Sequence, residues 1–193
     1  MDPQRAAWLR KYATQREPWR GPVHAAPLLA GLRGRVVELG AGGGKVGAAL
    51  AADALALDWA ALPPGRPGAL ADVRALPLRD ASVDALVAIH VLGHLDAPER
   101  ALAEWARVLR PGGAVVLEVF AAGDARDVAG HVAEREGVRT RFFEAEELRA
   151  LLRAAGLEGD VTPEERALRW GTRRVLRALV AKPFPAPRHL PRA

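Results

Sequence analysis

Apolar residues in this chain gather in short runs separated by polar, proline- and glycine-rich punctuation. The runs "RVVEL", "LALD", "GALAD", "VDALVAIH" and "AVVLEVF" have the length and content of buried strands, and helix-spaced segments lie between most of them. That alternation predicts a parallel sheet with helices on both faces. In "DAPERALAEWARVLRPGG", Asp96 is placed to cap a helix, Glu99 to complete a capping box, and Pro111-Gly112-Gly113 to end it. "EAEELRALLRAAG" reads as another amphipathic helix, closed by Gly156. Beyond it, "ERALRW" and "RRVLRALV" on either side of Gly171 predict a closing antiparallel hairpin.

Composition narrows the class. A chain of 193 residues suits one domain with a self-sufficient core. No apolar run approaches the roughly 18 residues that would span a bilayer. The opening "MDPQRAAWLRKY" has no apolar core of a secretory signal, so a cytoplasmic location is expected. Without cysteine there is no disulfide, thiolate metal site or thiol nucleophile. The single serine, Ser82, sits in a turn before a strand and gives serine-hydrolase chemistry no support. The net charge of +5 is uneven: residues 161–193 carry eight Lys/Arg against two Asp/Glu. Such a basic tail suits contact with nucleic acid, and equally a solvated arginine face.

The chemistry concentrates in "VVELGAGGGK", residues 36–45. A strand entering a glycine-rich turn lets backbone amides approach a ligand where side chains would intrude. A phosphate loop, GxxxxGK[ST], fails because Leu39 stands where the first glycine must be and Val46 follows Lys45. A dinucleotide frame can be laid on Gly42, Gly44 and Gly47, which keeps an NAD(P)-binding oxidoreductase open. A third frame, acid-x-Gly-x-Gly-x-Gly, takes Glu38, Gly40, Gly42 and Gly44.

On this third frame the chain resembles the class I S-adenosylmethionine-dependent methyltransferases, from about Gly34 to Gly156. The resemblance implies a three-layer α/β Rossmann-like fold with a seven-stranded, mostly parallel sheet and a closing antiparallel hairpin. It also implies S-adenosylmethionine as cofactor, with Glu38 at the aminoacyl part and Gly40, Ala41 and Gly42 against its backbone-facing side. Asp58, ending "LALD", would bind the ribose hydroxyls. In "ADVRALPLRDASVDALVAIHVLGHL", Asp72 would accept from the adenine amine, Val73 would offer its backbone, and His90 would line the pocket. Trp59 is placed to cover an adenine face or to pack on the sheet edge. "RVLRPGGAVVLEVF" matches the family's fifth-strand motif. One departure stands out: "WAALPPGRPGALA" has three prolines where the family has a helix, so that helix is expected to be lost. The chain then divides into an N-terminal lid or helical segment (1–33), a cofactor-binding core (34–160) and a basic hairpin and tail (161–193).

Methyl transfer from a sulfonium is an in-line displacement, in which alignment alone can supply about 7–11 kcal/mol. A base is optional; the candidate is His94, on a strand-to-helix transition whose geometry spoils any metal pair with His90. The Asn-Pro-Pro-aromatic tetrad of exocyclic-amine enzymes is missing, which favours an oxygen acceptor. "AIHVLGHL" and "RTRFFEAEELRALLRAAG" further resemble tRNA wobble-uridine carboxymethyl methyltransferases. This resemblance and the basic tail point to RNA, with Trp19, Arg20, His94, Phe142, Arg173 and Arg174 as substrate contacts. A small-molecule oxygen or nitrogen acceptor is the alternative, as is a noncatalytic cofactor-binding subunit, and an activating protein partner stays open.

Overall fold

The computed structural model describes residues 2–15, 21–127 and 130–185. Its centre is one seven-stranded sheet in the order β3-β2-β1-β4-β5-β9-β8. The strands are β1 (Val36–Leu39), β2 (Leu55–Asp58), β3 (Gly68–Leu70), β4 (Val83–Ile89), β5 (Leu109–Phe120), β8 (Glu158–Leu168) and β9 (Gly171–Ala181). The first five run parallel; β9 returns antiparallel between β5 and β8. β1 and β4 are buried on both faces, which is why they read as continuous apolar runs rather than alternating ones.

The two faces are covered unequally. Helices α3 (Pro98–Val108) and α4 (Ala145–Ala154) close one face, where Trp105, Leu102, Leu148 and Leu152 pack on Leu86, Leu117 and Leu176. On the other face lie the single-turn helix α2 (Ala26–Leu29) and a 3-10 turn, Gly47–Ala49, packed on Val36, Val87 and Val116. The expected layer of full crossover helices on that face is therefore thin. The glycine-rich "GAGGGKVG" supplies little helix propensity to extend the turn. The proline-rich 59–67 segment contains no helix, as its composition predicts.

One local expectation fails, and one element was not expected at all. The capping box of α3 is not formed: Ala97 is the N-cap, Pro98 occupies the first turn, and the Asp96 carboxylate binds the Arg139 guanidinium at 2.9 Å instead. A hairpin, β6 (Val132–Arg135) and β7 (Val138–Arg141), also went unforeseen. Its turn places both Glu136 and Gly137 at positive φ, the two-residue turn geometry that matches strand twist.

Helix α1 (Pro3–Thr14) crosses the carboxyl end of the sheet. Asp2 caps it by accepting from the Gln4 and Arg5 amides. The helix then grips both sides of the sheet end: Arg5 donates to the Trp59 carbonyl after β2, and Gln4 bonds to the His94 and Arg139 carbonyls and the Arg139 amide.

Candidate active site

The carboxyl ends of β1, β2 and β4 meet under α1. At the end of β1 the chain turns through Gly40 and Gly42, both at positive φ, where non-glycine residues are strained. The space that side chains would fill is taken: a Cβ on Gly40 would strike Val91, and one on Gly42 would strike the Tyr12 hydroxyl from α1. Ala41 is buried beside them. Asp58, ending β2, ties the loop in place by accepting from the Gly42 amide at 3.0 Å and from the Ala60 and Ala61 amides at 2.7 and 3.1 Å. Burial pushes its carboxyl above the usual carboxylate range, against the pull of those amides.

Glu38 is also buried, but its partner is unforeseen. Arg66, from the proline-rich segment, reaches back to pair with Glu38 Oε2 and donates to the Ala54 carbonyl. Burial raises the Glu38 carboxyl while the Arg66 hydrogen bond lowers it. The proline-rich segment therefore carries a cation to the acid at the loop entrance. The only signal in the sequence was an arginine among prolines where a helix would otherwise run.

Two clefts open beside the loop. One, of about 350 Å3, is lined by Tyr12, Thr14, Gly42, Gly43, Leu62 and Pro64. The other, of about 210 Å3, is lined by Asp2, Arg5, Trp59, Ala71, Asp72 and Arg74. Here the Arg74 guanidinium lies 5.4 Å from the Trp59 ring and binds both oxygens of Asp72. Although burial works against it, this pairing holds Asp72 below the usual carboxylate range. Val73 is held from behind, its carbonyl accepting from the fully buried Trp105 indole at 3.0 Å.

His90 and His94 occupy different environments. His90 sits directly after β4 at φ 59°, an uncommon conformation for a side chain of its size. Its ring stacks on Phe120 at 4.0 Å, and its Nε2 lies 3.2 Å from Glu118 of β5. Burial lowers its pKa, with Glu118 opposing. Glu118 itself accepts from Arg177 of β9 at 2.7 Å; against burial, the His90 and Arg177 contacts hold its carboxyl at about 2. A lone acid inside "AVVLEVF" was the visible sign that such partners had to exist. His94 instead packs edge-on against Trp8 of α1, with Nδ1 2.8 Å from the Arg139 carbonyl of β7. Burial pushes its pKa down to about 4.

The aromatic pair before α4 is split. Phe143 joins the main core, whereas Phe142 packs with Phe120 and Val175 near His90. The arginines of β9 do not stand in solvent as their alternation with apolar residues implied. Arg177 pairs with Glu118 and Glu164, Arg173 lies 3.0 Å from buried Asp124, and only Arg174, paired with Glu165, is substantially exposed. Trp19 and Arg20 lie outside the described residues.

Residues 37–117 match the methyltransferase domain family. The matched segment runs from β1 into β5 and holds Glu38, Gly40, Gly42, Asp58 and Asp72. The chain is 38% identical over 115 residues to malonyl-[acyl-carrier protein] O-methyltransferase of Methylococcus capsulatus, a match spanning 48% of this chain and 42% of that relative, so it spans less than half the length of that relative. Its fold is similar to that of the 1,6-didemethyltoxoflavin-N1-methyltransferase of Burkholderia thailandensis, solved with its acceptor and S-adenosylhomocysteine bound. That likeness has a TM-score of 0.76 at 22% identity and covers 94% of this chain and 88% of that one. A methyltransferase of Thermotoga maritima is similar at a TM-score of 0.72 and 22% identity, over 92% of this chain and 99% of the other.

Proposed function

We propose that this chain methylates a small-molecule acceptor, with S-adenosylmethionine held across the ends of β1, β2 and β4. The observation that carries the reading is the link between loop and second strand. Asp58 fixes Gly42 through its amide, so a carboxylate and the glycine backbone are presented together beneath the Tyr12 hydroxyl. In this reading Gly40, Ala41 and Gly42 face the cofactor, Asp58 takes the ribose, and Asp72, Val73 and Trp59 hold the adenine at the smaller cleft. Glu38 acts through Arg66. A dinucleotide is disfavoured because its pyrophosphate needs a helix N-terminus, and only a three-residue 3-10 turn follows the loop.

Catalysis then rests on alignment: the acceptor–carbon bond forms as the sulfur–methyl bond breaks, and S-adenosylhomocysteine leaves. His90, at the end of β4, borders the acceptor. His94, with its imidazole neutral and bound to Arg139, seats α1 rather than moving a proton.

The inward turn of Arg173 and Arg177 favours a small acceptor over RNA. Malonyl-[acyl-carrier protein] and 1,6-didemethyltoxoflavin, the acceptors of two similar proteins, are not nucleic acids. Calorimetry tests the cofactor: S-adenosylhomocysteine is expected to bind and NADH not. Charge-assisted hydrogen bonds contribute about 1.5–3 kcal/mol each, so Asp58→Ala should weaken S-adenosylhomocysteine roughly ten- to hundredfold. Equal binding of NADH, or unchanged affinity in Asp58→Ala, overturns the reading.

A further inference from the structure

Past the end of β5, two guanidiniums share one carboxylate. Asp124 is fully buried and already accepts from the Arg126 and Arg174 amides and from Arg126 Nε at 3.0 Å. Arg173 Nε lies 3.0 Å from its second oxygen without hydrogen-bond geometry. Arg126 Nη2 and Arg173 Nε are buried and have no hydrogen-bond partner among the described residues. Both guanidiniums lie against one aromatic ring, 3.8 Å and 4.9 Å from the centroid of Phe120. The same ring carries His90 stacked at 4.0 Å. Two forks with donors to spare, converging beside the end of β4, leave one positive charge without a buried counterion among the described residues.

Cation–π contact could hold such arginines for packing alone, but it satisfies no N–H donor. Buried donors gain most from an acceptor that carries charge, and the planar guanidinium fork matches the oxygens of carboxylate or phosphate. We propose that Arg126 and Arg173 anchor an anionic group, a carboxylate or a phosphate, on the methyl acceptor. The anion is the handle and not the methylated atom, so the acceptor atom lies elsewhere on the same small molecule. The inference rests on the methyltransferase reading for the word acceptor; the anion site itself does not.

The full-length chain saturated with S-adenosylhomocysteine is titrated with malonate and, separately, inorganic phosphate. Trp170, whose ring is 5.2 Å from the Arg173 guanidinium, serves as a fluorescence reporter, and calorimetry runs alongside. Saturable binding of either probe is expected, malonate alone indicating a carboxylate handle and phosphate alone a phosphoryl one. Arg126→Gln should weaken it at least about tenfold, and Arg126→Lys, which keeps charge without the fork, by less. Arg173→Lys is the second variant, because Arg173→Gln removes a cation beside buried Asp124 and threatens the fold. Arg153→Gln, on α4, should change nothing. Retained S-adenosylhomocysteine binding and melting temperature certify each variant as folded. Absence of saturable anion binding in the wild type, or affinity within about twofold in both Arg126→Gln and Arg173→Lys, overturns the proposal. Failure of S-adenosylhomocysteine to bind the wild type would instead remove the methyltransferase reading.

Discussion

His94 makes folding stability depend on pH in a window that can be worked out beforehand. In the folded chain its ring is walled by Trp8 of α1, by the Arg139 carbonyl and by Thr140 of β7, with the positive charges of Arg126 and Lys11 in range. Burial, the largest influence, brings its pKa to about 4, against 6.5 when solvated. A depressed folded pKa means that the unfolded chain binds the proton first. The contribution is complete above about pH 6.5, declines as pH falls, and is gone below about 4. From about pH 7.5 to 5 the loss comes to about 2 kcal/mol, out of a ceiling of about 3.4 set by the full shift. The substitution to make is His94→Asn, whose amide can still donate to the Arg139 carbonyl but cannot titrate. Other groups in the window are common to both proteins. His90 and His24 shift in the same direction, and exposed His131, raised by Asp127, acts in the opposite sense. Urea unfolding at the two pH values gives four free energies, and their double difference isolates His94. The wild type should lose about 2 kcal/mol more than the variant. Equal losses would show that the ring is solvated or already protonated in the native state, and the packing of α1 against β7 would need another account.

Two further perturbations test the loop itself. Arg66→Met strands the buried Glu38 carboxylate and should cost about 3–5 kcal/mol at neutral pH, less in acid where Glu38 can protonate; Glu38→Gln in the same chain should recover most of it. Chemical unfolding of both variants measures this, and a double variant no more stable than Arg66→Met would refute the pairing. Gly42→Ala puts a Cβ at positive φ, costing about 1–2 kcal/mol, and drives it into the Tyr12 hydroxyl. It should weaken S-adenosylhomocysteine and expose the Lys11 and Arg10 bonds of α1 to trypsin; unchanged affinity with unchanged cleavage would show that α1 does not rest on the loop.

The strands were legible because parallel strands buried on both faces leave an unbroken apolar signature, and "VDALVAIH" and "LALD" needed no partner to be read. Helices α3 and α4 were equally plain from their spacing. The β6–β7 hairpin escaped because "VAEREGVRTR" is polar on both strands, so it has no apolar periodicity, and only Glu136-Gly137 marks the turn. The Asp96 cap failed for a different reason: a carboxylate that can cap a helix can equally pair with Arg139, and sequence spacing says nothing about a residue 43 positions away.

The same limit explains the arginines of β9. Alternation in a strand assigns Arg173, Val175 and Arg177 to one face, and near a chain end that face is ordinarily read as the wet one. The register decides otherwise. Arg177 stands opposite Glu118 and Val175 opposite Phe120, so these arginines share their face with the one acid and the one aromatic that β5 turns toward the site. Glu118 inside an apolar run demands a buried cation, and an arginine opposite it is the economical answer. Once Arg177 is committed to Glu118, the charge placed near the site by Arg173 and Arg126 exceeds what Asp124 neutralises. The tail's basicity is therefore partly internal. Arg177 compensates the acid of β5, and Arg173 adds its charge beside His90, where a small anion can reach it.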